Sequence, residues 1–177
     1  MRYACKYESP LGGITLAADD EGITGVWFDG QKYFPRTLPA KRTERPLPFS
    51  ERVEEWLGIY FSGRNPGFSV PLHMEGSPFQ RAVWNILQRI PYGRTVTYGD
   101  IARETARQQG TATMSAQAVG NAVGRNPVSI LVPCHRVVGS DGSLTGYAGG
   151  IWRKARLLAL ERADTAGLFI PEKGTAL

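Results

Sequence analysis

Over the first thirty residues, apolar and polar side chains alternate in three short runs parted by turn residues. Arg2 to Glu8 partly alternates, and Pro10-Leu11-Gly12-Gly13 breaks the pattern. Ile14 to Ala18 forms a second run, Asp19-Asp20-Glu21-Gly22 turns again, and Ile23 to Phe28 forms a third. A period of two between turn clusters predicts a β-meander. Its aromatics, Tyr3, Tyr7, Trp27 and Phe28, are expected as core or cross-strand partners. Residues 30–49 hold Pro35, Pro39, Pro46 and Pro48 and predict an irregular connection. The period then becomes helical. Ser50 is expected to cap a helix to about Ser62, with Val53, Trp56, Leu57, Tyr60 and Phe61 on one face and Gly63 at its end. A short strand near Phe68-Ser69-Val70 follows, and a domain boundary is expected around Leu72 to Gly76.

The remainder reads as mostly helical. Ser77-Pro78-Phe79-Gln80 combines a cap, a proline at the first helical position and a capping-box glutamine. Phe79, Val83, Ile86, Leu87 and Ile90 form the apolar stripe behind it, and Pro91-Tyr92-Gly93 stops the helix. Thr97-Tyr98-Gly99-Asp100 starts another helix in the same way, running to about Arg107. Ser115 caps a small-residue helix from Ala116 to about Gly124. Two such helices in succession, followed by basic Arg125, suit a helix-turn-helix, although many helix pairs bind no DNA. Gly120 inside the second costs about 1 kcal/mol relative to alanine, which a close approach by another backbone or a nucleic acid would explain. Ile130 to Val132 is expected as a buried strand, Ser140-Asp141-Gly142 as a turn, and Ile151 to Arg162 as the last helix, with Ile151, Ala155 and Leu158 inward. Residues 163–177 read as a loose tail. The fold class is therefore α+β, divided as 1–76, 77–165 and a 166–177 tail.

Composition narrows the class. The chain has 177 residues, 42% hydrophobic and 21% charged, as in ordinary globular proteins. No stretch reaches membrane-spanning length and the N-terminus lacks an apolar signal region, so a cytoplasmic location is expected. The net charge is +5, and its placement says more than its size. Residues 81–162 carry eleven Lys or Arg and four Asp or Glu, whereas the rest carries ten against twelve. A basic segment suits a polyanionic partner. Cys5 and Cys134 make no disulfide framework, His73 stands apart from any metal-ligand spacing, and no cofactor motif is visible.

The chemistry concentrates in Pro133-Cys134-His135. Pro133 fixes the chain direction after the apolar run. A thiol held there, beside an imidazole that can take its proton, could serve as a nucleophile. A cysteine behind an apolar strand can equally be a small core residue.

The surrounding sequence resembles a known family. Pro133-Cys134-His135-Arg136-Val137-Val138-Gly139 resembles the active-site motif of the O6-alkylguanine-DNA alkyltransferases, the methylated-DNA–protein-cysteine methyltransferases of direct DNA repair. The likeness extends through Ala118 to Pro127, Thr145 to Gly150, Leu157-Leu158 and Glu161, and takes in Ser77-Pro78-Phe79-Gln80 and Val96-Thr97-Tyr98-Gly99. It implies a ribonuclease H-like N-terminal domain and a DNA-binding C-terminal domain. It also implies an irreversible, single-turnover transfer of the alkyl group from O6-methylguanine to Cys134, with O4-methylthymine a further candidate substrate. The implied partner is double-stranded DNA, entered from the minor groove by a monomer that flips the damaged base. No cofactor and no metal are implied.

Residue by residue, the resemblance makes Cys134 the nucleophile and His135 its base, acting through a water, with Glu161 orienting the histidine. Asn126 braces the turn. Tyr98 donates a proton or hydrogen bond to N3 of the departing guanine. Tyr147 lines the base pocket, and backbone groups near Val137 and Ala148 hold the base. Gly120, Val123 and Arg125 belong to the implied DNA-binding helix and its end. Taken without the family, Glu161 could be a surface glutamate and Tyr98 a core aromatic. One departure stands out. Gln117 occupies the place where much of the family has an arginine that fills the gap left by the flipped nucleotide. The competing reading is a non-catalytic alkyltransferase-like protein that binds the lesion without removing it; Cys134 speaks against that, because those relatives lack the cysteine.

Overall fold

A computed structural model describes residues 2–35, 38 and 48–172. The chain divides into two compact units, one of residues 1–75 with 127–129, the other of 76–126 with 130–177. The first unit thus also takes in Pro127–Ser129, which a single cut near residue 76 would assign elsewhere.

In the first unit β1 (Tyr3–Ser9), β2 (Gly12–Ala18) and β3 (Ile23–Phe28) form an antiparallel meander in that order. Their inward positions, Ile14, Leu16, Ile23, Val26 and Phe28, are fully buried. The strand expected at Phe68–Val70 is not formed. The added pairing falls at Leu72, which bridges Ile23, with Ile23 N–H donating to Pro71 O and His73 N–H to Ile23 O. Gly22 permits this, since a Cβ there would stand 2.8 Å from Pro71 O. Val128 adds a parallel bridge to Val26. Helix α1 (Ser50–Phe61) buries Val53, Leu57 and Tyr60. Ser50 is not its cap: Phe49 holds that place in the left-handed region, with no side-chain cap. His73 pairs with Asp19 at 2.6 Å. Of the proline-rich connection, residues 36–37 and 39–47 lie outside the described residues.

The second unit is built on capped helices. α2 (Pro78–Leu87) and α3 (Tyr98–Gln109) both open with complete capping boxes, Ser77 with Gln80 and Thr97 with Asp100. α4 (Ala116–Gly124) is capped by Ser115, and α2, α3 and α4 pack on one another. Gly110, in the left-handed region, ends α3. Trp84 anchors the trio. It is 2% exposed, and its indole N–H donates to Ala122 O at 2.8 Å. β4 (Val96–Thr97) pairs in parallel with β5 (Val137–Val138). α5 (Ile151–Leu160) buries Lys154, Leu157 and Leu158.

Two further expectations fail in this unit. Ile130–Val132 is a turn, not a strand: Ile130 sits at φ 72°, buried, where a β-branched residue is strained. Residues 163–172 are not loose. Ala163 joins the cluster of Val138, Leu144 and Leu158, and Phe169 bridges Ser143. Among the described residues no helix is long and apolar enough to cross a membrane.

Replacing Trp84 with Phe keeps most of the aromatic bulk and removes the indole donor from Ala122 O, which retains the Arg125 N–H at 3.2 Å. A stability loss of about 0.5–1.5 kcal/mol is expected by urea denaturation; a loss within error would mean that the bond to Ala122 does not tie α2 to α4.

Candidate active site

Cys134 opens a single 3₁₀ turn, Cys134–Arg136, directly after Pro133. The turn is held from behind by Asn126. Its amide Nδ2–H₂ donates to Val132 O at 2.8 Å and to Cys134 Sγ at 3.2 Å. The same carbonyl accepts the Cys134 N–H at 2.8 Å, so Asn126 adds a second bond to a tight turn and also touches the sulfur. Burial pushes the Cys134 thiol up; the Asn126 hydrogen bond and the charge of Lys154 work against that rise.

His135 is fully buried, and its Nε2 lies 2.6 Å from Glu161 Oε1. Glu161 stands at the C-cap of α5, 3% exposed. It also receives Arg136 through Nε at 2.9 Å and Nη2 at 2.9 Å, and the Gly93 N–H at 3.0 Å. Burial alone would raise the Glu161 carboxyl, but the hydrogen bonds and charges of His135 and Arg136 win and hold it well below the usual range. An ionised carboxylate only accepts, so Nε2 carries the shared proton. Burial lowers His135, which leaves a neutral imidazole with its lone pair on Nδ1.

Tyr98, at the first turn of α3, donates its hydroxyl to Thr145 O at 2.9 Å. Burial, and then the nearby Cys134, push its phenol well above the usual range, so it keeps its proton. Lys154 is fully buried, and its ammonium donates to the same Thr145 O at 2.6 Å. Burial lowers it to about 8, while Cys134 opposes that fall. Tyr147 is buried with its ring edge-on to His135, centroids 6.5 Å apart.

The structure thus gathers Cys134, His135, Glu161, Asn126, Tyr98 and Tyr147 into one unit. Ala148 follows Tyr147 in the same loop, and Val137 follows the 3₁₀ turn in β5. Gln117 and Arg125 lie exposed on and after α4. Gly120 faces outward enough that a Cβ would meet only Tyr98 Cδ1, at 3.9 Å. No neighbouring backbone among the described residues explains that glycine. Val123 departs from expectation: at 1% exposure it packs inward and has no surface to offer a nucleic acid.

Two residues of the site escape a sequence reading. Arg136 stands in the sequence only as one letter of a motif, yet it supplies the cation that holds Glu161. Lys154 draws no attention because helical lysines are ordinarily solvated. Its signal is nonetheless present: it falls three residues after Ile151 and four before Leu158, on the inward stripe of α5. Among the described residues, no group of three or more His, Cys, Asp or Glu is arranged to hold a metal ion.

The chain is similar to known proteins along most of its length. Residues 78–163 match the model of the 6-O-methylguanine DNA methyltransferase DNA-binding domain, and residues 1–74 that of its ribonuclease-like domain. A methylated-DNA–protein-cysteine methyltransferase of Mycolicibacterium paratuberculosis is 48% identical over 88% of this chain and 89% of its own length. One from Methanosarcina acetivorans is 45% identical over 91% and 98%. A crystal structure of Mycobacterium tuberculosis OGT in complex with DNA superposes with a TM-score of 0.74 at 39% identity, covering 94% of this chain and 99% of that one. The chain belongs to the 6-O-methylguanine DNA methyltransferase family, with both the ribonuclease-like and the DNA-binding domain. Within it, the chain falls among the methylated-DNA–protein-cysteine methyltransferases.

These charges have measurable consequences. Glu161→Gln leaves Arg136 buried without its counter-charge, and a stability loss of about 3–5 kcal/mol is expected in urea titrations at neutral pH. The wild type should also lose stability on acidification. Both His135 and Glu161 have lowered values, so their contributions are present above the unfolded values of 6.5 and 4.5 and fade as pH falls below each. Glu161→Gln should flatten the part of that limb below 4.5, where the glutamate contributes; an unchanged slope there would contradict the pairing. Separately, Lys154→Met should slow iodoacetamide alkylation of Cys134 at pH 7.5 by about tenfold, because a thiolate there would lose a cation that favours it. An unchanged rate would remove Lys154 from the site.

Proposed function

We propose that Cys134 accepts the alkyl group of O6-alkylguanine in DNA, making this chain a direct-reversal repair protein that acts once per molecule. The observation that carries the reading is a thiol braced by Asn126, followed directly by a buried histidine whose Nε2 is fixed on a buried carboxylate. The thiol rests protonated, so its proton must leave during the reaction. His135 Nδ1 is the basic site that takes it, through an intervening water, and the Glu161 charge stabilises the imidazolium so formed. The sulfur then attacks the methyl carbon. The S–C bond forms, the C–O6 bond breaks, and the electron pair passes to the guanine ring. Tyr98 keeps its proton strongly; its hydroxyl, which rests on Thr145 O, turns to donate toward N3 and releases the proton only as charge builds on the leaving purine. Lys154 offsets the thiolate charge.

The base reaches this site by leaving the duplex. Exposed Gln117 on α4 and the open surface at Gly120 support a close approach of that helix to DNA, through the minor groove. Tyr147 and the backbone near Ala148 and Val137 form the base pocket. Arg125 contributes charge toward the phosphates. The protein acts as a monomer. Gln117 fills the space left by the flipped nucleotide without adding charge.

Intact-mass and peptide measurements with a duplex carrying one O6-methylguanine are expected to find one methyl on the Cys134 peptide, at no more than one per protein, and none on Cys134→Ser. Binding without transfer would replace this reading with lesion sensing. Gln117→Arg should tighten duplex binding by about three- to tenfold at low salt, an effect that weakens as salt rises; equal affinity for Gln117→Arg, Gln117→Ala and wild type would deny the position a role.

A further inference from the structure

The loop from Thr145 to Gly150 stands against the reacting groups. Thr145 O receives both Tyr98 and Lys154, and Tyr147 lies edge-on to His135. By composition this loop is compliant. Gly146 and Gly150 have φ of 81° and 96°, and Gly149 precedes the second of them. A loop of this kind would give way under any group larger than the one it fits.

Two side chains of α5 hold it. Arg153 Nη1 donates to Gly149 O at 2.9 Å. Trp152 covers the next residue: a Cβ at Gly150 would stand 3.3 Å from its Cδ1 and 3.4 Å from its Nε1, so the indole edge packs closely against Gly150. The two also hold each other, with the Arg153 guanidinium 4.6 Å from the Trp152 ring centroid. Backbone bonds complete the arrangement, Gly150 N–H to Tyr147 O at 3.0 Å and Arg153 N–H to Gly150 O at 3.1 Å. Trp152 is 52% exposed, which is a poor position for so large an apolar side chain if core packing were its purpose.

We propose that Trp152 and Arg153 form a clasp that stiffens the Tyr147–Gly150 wall and thereby sets the size of alkyl group that Cys134 accepts. Both are positioning residues, acting through the loop and touching neither sulfur nor base. The proposal rests on the reading of Cys134 as the alkyl acceptor. With the clasp intact, the wall fits a methyl group closely, and a four-carbon chain must push it back. With the clasp open, the wall yields.

The test compares single-turnover rates on duplexes bearing O6-methylguanine or O6-butylguanine. In Trp152→Ala the butyl-to-methyl rate ratio is expected to rise by about tenfold or more, a span typical of discrimination by pocket size. Arg153→Lys keeps the charge but loses the planar fork, and should move the ratio the same way; Trp152→Phe should return it toward wild type. An unchanged ratio in both Trp152→Ala and Arg153→Lys would overturn the clasp. If the wild type transfers no alkyl group at all, the acceptor reading fails first. The clasp is then judged by hydrogen exchange at the Gly150 amide, which should be at least about tenfold faster in Trp152→Ala; equal exchange would overturn it independently.

Discussion

The site depends on a buried carboxylate. Glu161 is 3% exposed and would be costly to hold charged there unaided. Arg136, His135 and the Gly93 N–H converge on it, and that convergence does three things at once. It ties the end of α5 to the 3₁₀ turn and to the segment after α2. It leaves the imidazole one tautomer. It also holds a negative charge where an imidazolium would need one. Arg136 further donates to Ile90 O at 2.6 Å, so the same guanidinium also holds the turn that follows α2. Stability and reactivity thus share one set of bonds, as expected when a buried ion pair persists in spite of its desolvation cost.

Around this centre the chain places each group by local means. The capping boxes at Ser77 and Thr97 fix where α2 and α3 begin, and the second sets Tyr98 at the first turn of its helix. Asn126 donates to Val132 O and reaches the sulfur. Gly110 ends α3 and Ser115 restarts the chain as α4, which carries Gln117 outward. The Tyr147–Gly150 loop would be the soft part of the site, and the start of α5 holds it.

Much of this is legible in the sequence, because it rests on local rules. The meander follows from alternation and turns, the helix starts from Ser-Pro-x-Gln and Thr-x-x-Asp, and α4 from a serine before a run of small residues. What escapes is set by tertiary partners. Phe49 rather than Ser50 caps α1, and nothing in a period of 3.6 announces a left-handed aromatic. Ile130–Val132 has strand composition, yet Ile130 turns, and Val132 O is taken by the Cys134 N–H and the Asn126 amide. Trp84 does not stand out on the stripe of α2, although its indole is bonded to α4. Val123 reads as part of a DNA-facing helix because helical spacing alone does not separate the inner from the outer edge of a small-residue face. Arg136 and Lys154 escape for one reason: their residue types are ordinarily solvated, and only a carboxylate or a thiol brought from elsewhere in the chain makes burial tolerable.

The tautomer and charge of His135 connect fold to chemistry, and ¹⁵N NMR of its imidazole reads them directly. At pH 7 the ring should be neutral with the proton on Nε2, and Nδ1 should take a proton only below the ordinary histidine value of 6.5. In Glu161→Gln that tautomer preference should weaken. A proton on Nδ1 in the wild type, or an imidazolium at pH 7, would mean that His135 cannot take the Cys134 proton and that Glu161 does not orient it for that task.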